Sequence, residues 1–158
     1  MAKNVAIVGA TGAVGTEMLK VLEKRNFPIN DLKLFAHESE AGTKINFKGK
    51  ECTVEAVKEN SFDGIDIALF SAGGGVSEKL APQAVKSGAV VVDNSSAFRL
   101  DKDVPLVVPE VNPQDIKKHK GIIANPNCST IIMVMVLKPI YNLSPITRVI
   151  ASTYQEVS

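Results

Sequence analysis

A doubly wound, mostly parallel α/β sheet follows from three features of this sequence. Short apolar runs alternate with stretches at helical spacing, the pattern of strands joined by helical crossovers. The first run, residues 4–8, is almost continuously apolar, as a strand buried on both faces requires. It leads straight into Gly9-Ala10-Thr11-Gly12-Ala13-Val14-Gly15, a glycine-rich turn ahead of a helical pattern.

The elements follow in order. Val14, Met18, Leu19 and Leu22 keep helical spacing, with Glu17, Lys20 and Lys24 on the opposite side, and Asn26-Phe27-Pro28 stops that helix. Residues 32–36 read as a second strand, which completes one βαβ unit. Residues 37–64 are polar, with weak strand signals at 44–47 and 51–54. A buried strand over 65–71 closes on Ala72-Gly73-Gly74-Gly75, and Ser77 is expected to cap a helix over 78–86 that Gly88 ends. Residues 89–92 form a fourth apolar strand, followed by Asp93-Asn94-Ser95-Ser96 and Phe98-Arg99. A short apolar piece at 106–108, a helical turn or two at 113–119 and a strand at 121–124 come next.

Residues 131–137 are seven apolar residues in a row. Periodicity assigns them to neither helix nor strand, but Asn127, Ser129 and Thr130 offer capping groups upstream, so the reading is a buried helix. Residues 147–153 alternate like a strand. No capping element follows, and the chain is expected to be the first part of a longer protein. The sheet domain is assigned to residues 1–127, and residues 128–158 to the truncated start of a second, α+β domain.

Composition narrows the function. Eighteen basic against seventeen acidic residues leave a net charge of +1, which favours neither a polyanion nor a membrane surface as partner. No basic patch carries interleaved aromatics, so nucleic acid is not expected. No apolar run approaches the roughly 18 residues that span a bilayer, and the N-terminus lacks a signal-peptide layout. Two cysteines, Cys52 and Cys128, make no disulfide framework and fit a reducing cytoplasm. No Cys/His spacing suits a metal. The expectation is a cytoplasmic protein.

The glycine turn carries the first chemistry. In a strand-turn-helix unit, glycines let backbone N–H groups approach a pyrophosphate seated on the helix dipole, which makes this a Rossmann-like, dinucleotide-binding sheet. The spacing, G-x-x-G-x-x-G, is a variant in which Thr11 adds a hydroxyl. Selectivity is read at the end of the second strand, at His37-Glu38-Ser39-Glu40. An acid there favours the free 2′-hydroxyl of NAD, whereas a 2′-phosphate wants a cation such as Lys44 nearby.

The second chemistry is a thiol. Asn125-Pro126-Asn127-Cys128-Ser129-Thr130 places Cys128 where a loop feeds a helix N-terminus, whose positive end favours thiolate. Ser71-Ala72-Gly73, Asn94-Ser95-Ser96 and the cysteine loop all fall at carboxyl ends of strands, the edge where open α/β sheets bind ligands. That company favours a functional Cys128, while Cys52 reads as structural. Arg99 is one of three arginines; it either holds a carboxylate or phosphate bidentately or pairs with Asp101 or Asp103. Neither His37 nor His119 is placed to serve Cys128 as a base.

With these motifs in view, the sequence resembles the N-terminal part of the aspartate-β-semialdehyde dehydrogenases. The resemblance runs the whole length, through Asp93-Asn94-Ser95-Ser96-Ala97-Phe98-Arg99, Val108-Pro109-Glu110-Val111-Asn112, the cysteine motif and Ser152-Thr153-Tyr154-Gln155. It implies NADPH-dependent reductive dephosphorylation of aspartyl phosphate to aspartate semialdehyde, toward lysine (through diaminopimelate), methionine, threonine and isoleucine. By that similarity Cys128 is the nucleophile and forms an acyl-thioester, Asn127 supports it, Arg99 holds phosphate, and Gln155 orients the aspartyl group. Gly9, Thr11, Gly12, Ala13 and Val14 cradle the NADP(H) phosphates; Ser39 and Glu40 meet the adenosine ribose; Ser71, Ala72, Gly73 and Ser158 complete the cofactor site. A homodimer or tetramer is implied for the intact enzyme, and the chain alone is expected to be incompetent because its base lies elsewhere. Many family members carry an arginine where this chain has Ser39, flanked by Glu38 and Glu40, which leaves NAD(H) open. N-acetyl-glutamyl-phosphate reductase and a non-catalytic dinucleotide-binding module are the alternatives.

Overall fold

Alternation within the first strand, β1 (Lys3–Val8), divides the core between two faces of a sheet. Ala6 and Val8 join Phe35, Phe62, Ala68 and Phe70 beneath Ala81 and Ala84 of helix α2 (Gly74–Lys86). Ile7 joins Leu34 and Val54 beneath Leu19 of helix α1 (Ala13–Lys24). One strand thus feeds both layers, which is why it reads as an unbroken apolar run.

The computed structural model describes residues 1–154. The remaining strands are β2 (Ile29–Ala36), β3 (Lys44–Phe47), β4 (Lys50–Ala56), β5 (Ile67–Phe70), β6 (Val90–Asp93) and β7 (Ile122–Ala124), with a third helix, α3 (Cys128–Leu143). Their order across the sheet is β3-β4-β2-β1-β5-β6-β7. All neighbours pair in parallel except β3, which turns back on β4 through Lys48 and Gly49, both at positive φ. The chain winds outward from β1 to β2 and β4 on one side and to β5, β6 and β7 on the other. The reversal lies between β1 and β5, the switch point where doubly wound sheets open a crevice. The expected α/β fold is therefore the observed one.

The weak strand signals at 44–47 and 51–54 are both strands, forming a hairpin whose second strand, β4, joins the main sheet beside β2 and runs on to Ala56. Three other expectations are corrected. Ser77 does not cap a helix; α2 begins at Gly74 and Ser77 is fully buried within its first turn. The apolar run at 131–137 is helical, but no residue of α3 is buried, with Ile132 69% and Val136 60% exposed. Residues 147–153 pair with no strand among the described residues, and alternation without a paired neighbour makes no strand. No helix among those residues is long and apolar enough to cross a membrane.

The start of β1 is tied to the loop before β5. Asp66 accepts from the Asn4 amide at 2.8 Å and lies 3.2 Å from Lys3 Nζ. The Asn4 hydrogen bond, then Lys3, hold its carboxyl below the ordinary 3.8. A carboxyl lowered by folding stabilises above its ordinary value, and that stabilisation is lost as pH falls below it. An Asp66→Asn variant should therefore lose less stability than the parent between about pH 5 and pH 3 in matched thermal melts. Equal losses would contradict the tie.

Candidate functional site

At the switch point a cleft of about 670 Å³ opens along the carboxyl ends of β1, β2, β4 and β5. Gly9, Thr11 and Gly12 line it from the glycine turn, Ser71, Ala72, Gly75, Val76, Lys79 and Leu80 from the start of α2, and His37, Glu38 and Glu40 from the turn after β2. Glycine is required at the turn. Gly9 has φ +89°, and a Cβ there would lie 2.4 Å from the Ser71 carbonyl oxygen; one on Gly15 would lie 2.0 Å from the Gly9 oxygen. The loop consequently packs directly against the end of β5 and against its own helix.

The start of α1 is left open to an anion. Gly12 is its N-cap, no side chain caps it, and no acidic residue occupies its first turn. The same holds for α2 behind Gly73. Uncapped N–H groups with the positive end of a helix dipole suit a pyrophosphate. The residues present therefore fit a dinucleotide.

Of the expected cofactor residues, Gly9, Thr11, Gly12, Glu40, Ser71 and Ala72 line the cleft. Ala13 and Val14 open α1 beside it, Gly73 opens α2, and Ser39 does not line it. Ala56, Val57, Lys79 and Leu80 were missed. The first two sit at the end of β4, whose polar sequence hides a sheet strand, and the others lie on a helix face that spacing alone does not aim.

Two strands further along the same edge stands the thiol. Cys128 is the first residue of α3 and is exposed. Asn127 is the N-cap; its Oδ1 accepts from the Ser129 amide at 3.0 Å and the Ser129 hydroxyl at 2.6 Å, and Cys128 Sγ lies 4.0 Å from it. The cap fixes how the helix starts and so where the thiol points. The expectation of a cysteine at a helix N-terminus is met. Gln155 and Ser158 lie outside the described residues.

Arg99 joins the loops that follow β6 and β7. Its Nε donates to the Asn125 carbonyl and its Nη2 to the Asn94 carbonyl, both at 2.9 Å, while Asn125 Nδ2 donates to Asn94 Oδ1 at 2.6 Å. It pairs with neither Asp101 nor Asp103; Asp103 is taken by Lys120 at 2.6 Å. Lys44, the candidate counter-charge for a 2′-phosphate, is likewise engaged, 2.7 Å from Glu51 across the hairpin. Replacing Arg99 with Leu should cost roughly 2 kcal/mol, since hydrogen bonds to a charged donor contribute about 1.5–3 kcal/mol each and this one is only half-buried. A denaturant melt measures it, and unchanged stability would contradict the clamp.

A buried carboxylate supports this edge. Asp93, last in β6 and fully buried, accepts from Ser77 Oγ at 2.7 Å, Ser95 Oγ at 2.6 Å and the Ser95 amide at 3.2 Å. It links α2, beside the cleft, to the loop that carries Arg99. Sequence reasoning placed Asp93 in a polar loop; an aspartate ending a run of three valines and followed by serines was the available signal. Neither histidine reaches Cys128: His37 Nδ1 accepts from the Ser39 amide, and His119 Nδ1 from that of Gly121. No group of three or more His, Cys, Asp or Glu among the described residues could hold a metal.

Comparison with known proteins places the chain. The model of the semialdehyde dehydrogenase NAD-binding domain matches residues 4–119. The chain is 65% identical to the aspartate-semialdehyde dehydrogenase of Aquifex aeolicus, all of it aligning with 47% of that protein. Among solved structures it is similar to Vibrio cholerae aspartate semialdehyde dehydrogenase II complexed with ASA, with 54% identity, a TM-score of 0.87, and 90% of this chain matching 47% of that one. It is also similar to the Candida albicans enzyme with NADP, with 26% identity, a TM-score of 0.73, and 92% of this chain matching 48% of that one. The chain spans about half the length of the curated relatives it matches, corresponding to their N-terminal part. The glycine turn, its cleft and the family match together show that this chain belongs to the semialdehyde dehydrogenase family, of which it carries the NAD-binding domain.

Proposed function

We propose that the whole protein is an aspartate-semialdehyde dehydrogenase, reducing aspartyl phosphate to the semialdehyde with release of phosphate, in the cytoplasmic supply of lysine, methionine, threonine and isoleucine. One observation carries the reading: an exposed cysteine at a helix N-terminus on the same sheet edge as a dinucleotide-sized cleft. The NADP(H) of the resemblance, or NAD(H), would be held in that cleft by the glycine turn and by Ser71 and Ala72.

In this scheme Cys128 Sγ, as thiolate, attacks the acyl-phosphate carbonyl. The carbon–oxygen bond to phosphate breaks and a thioester forms, splitting one hard substitution into two easier steps. Asn127 takes up the Ser129 amide, and the other backbone N–H groups in the first turn of α3 would stabilise the developing oxyanion. A dinucleotide held at the glycine turn would supply the hydride that reduces the thioester carbon. The resulting hemithioacetal releases aldehyde and restores the thiol. Asn127 holds the helix start, and Arg99 keeps the neighbouring loop in place while offering its remaining N–H groups to phosphate. Gln155 would orient the aspartyl group, and Ser158 would join the cofactor site.

We place the end of the cofactor domain at residue 127 and the start of the substrate and dimerisation domain at 128. The bare apolar face of α3 supports that division, because such a face is normally covered. A base for Cys128 would then come from that domain, leaving the 158 residues alone inactive and the active protein a homodimer or tetramer. Given aspartate semialdehyde, phosphate and oxidised dinucleotide, the whole protein should form reduced dinucleotide, and should not do so with N-acetylglutamate semialdehyde. The reverse preference would replace this reading with the sister reductase.

A further inference from the structure

We infer that the cleft selects NAD(H) over NADP(H), and that the turn over Glu38–Glu40 makes the choice. The inference rests on the dinucleotide reading of the cleft. In doubly wound sheets the residues at the end of the second strand meet the adenosine ribose, where a 2′-phosphate needs donors and cations and a free 2′-hydroxyl needs an acceptor. Here β2 ends at Ala36 and runs into a single 3₁₀ turn, Glu38–Glu40, whose two glutamates both line the cleft.

The donors nearest that turn have partners elsewhere. Ser39 stands between the two acids, but its amide donates to His37 Nδ1 at 3.3 Å and its hydroxyl lies 2.8 Å from the same nitrogen. Ser39 does not line the cleft. Lys44, six residues beyond the turn's start, is held by Glu51. Among the described residues Lys79 is the one lysine or arginine in the lining, and it is outnumbered by Glu38 and Glu40. Two carboxylates facing a dianionic phosphate repel it, whereas either accepts a hydrogen bond from a ribose hydroxyl.

The test is direct binding of NADH and NADPH to the whole protein, read by nicotinamide fluorescence at low ionic strength, with a Glu38→Gln/Glu40→Gln double variant alongside. Wild type should bind NADH about tenfold or more tightly than NADPH, a difference of roughly 1.4 kcal/mol. The gap should narrow as salt screens the carboxylates. In the double variant it should shrink to about threefold or less, chiefly by a gain in NADPH affinity, since glutamine keeps an acceptor but not the charge. Equal or tighter NADPH binding in wild type, or an unchanged gap in the double variant, would overturn the selectivity. Failure of both dinucleotides to bind would overturn the dinucleotide reading, and the selectivity with it.

Discussion

Replacing Cys128 with Ser in the whole protein should abolish turnover, with a loss of about 10³-fold or more in kcat, while leaving dinucleotide binding and the melting temperature close to those of the parent. Serine keeps the size and the helix start, and Cys128 is exposed with no packing to lose. What it removes is the thiolate, a far better nucleophile at neutral pH than a hydroxyl. A group that forms the covalent intermediate is all-or-none for the chemical step, so the loss should appear in kcat and not in substrate affinity. Retained binding alongside lost turnover separates this outcome from a folding defect. Activity within about tenfold of the parent would remove Cys128 from the chemistry.

The second large effect belongs to the glycine turn. Gly9→Ala puts an L side chain at φ +89° with its Cβ 2.4 Å from the Ser71 carbonyl oxygen. Left-handed backbone costs an L residue about 1–2 kcal/mol. The clash adds to that, because neither backbone can yield without pulling β1 from β5. A total near 3 kcal/mol is expected, or roughly 10 °C in melting temperature for a domain of this size. Dinucleotide affinity should fall as well, since Gly9 and Ser71 both line the cleft. Gly49→Ala provides the control: φ is +77° there, but nothing lies within 4 Å of the added Cβ. It should cost only the backbone strain, and leave dinucleotide affinity unchanged. Equal effects at the two positions would show that packing at the switch point is not what Gly9 provides.

The parts legible in the sequence were those whose chemistry is local. An apolar strand running into glycines can do little but turn and start a helix, and a capping asparagine before Cys128 announces the helix that follows. Local residues also expose the 2′-phosphate question, because the acids beside Ser39 are visible without coordinates. What could not be read depended on partners distant in the chain. Arg99 was expected to hold a ligand or an aspartate; instead two of its donors serve the carbonyls of Asn94 and Asn125. Lys44 looked available until the hairpin placed Glu51 opposite it. Seven apolar residues predict burial only if something covers them, and sequence cannot say whether the cover lies in the same domain. That is why α3 was rightly read as a helix and wrongly as buried. The alternating residues 147–153 failed for a related reason, since a strand exists only against another edge.

The central claim is that the thiol at the start of α3 carries the acyl group through the reaction. Mixing the whole protein with aspartate semialdehyde and oxidised dinucleotide, with phosphate withheld, lets the first half-reaction proceed and denies the thioester its acceptor. The account predicts a burst of reduced dinucleotide of about one equivalent per active site, with the aspartyl group found by peptide mass spectrometry on Cys128. A burst with the acyl group on another residue, or steady turnover without phosphate and without any adduct, would contradict it.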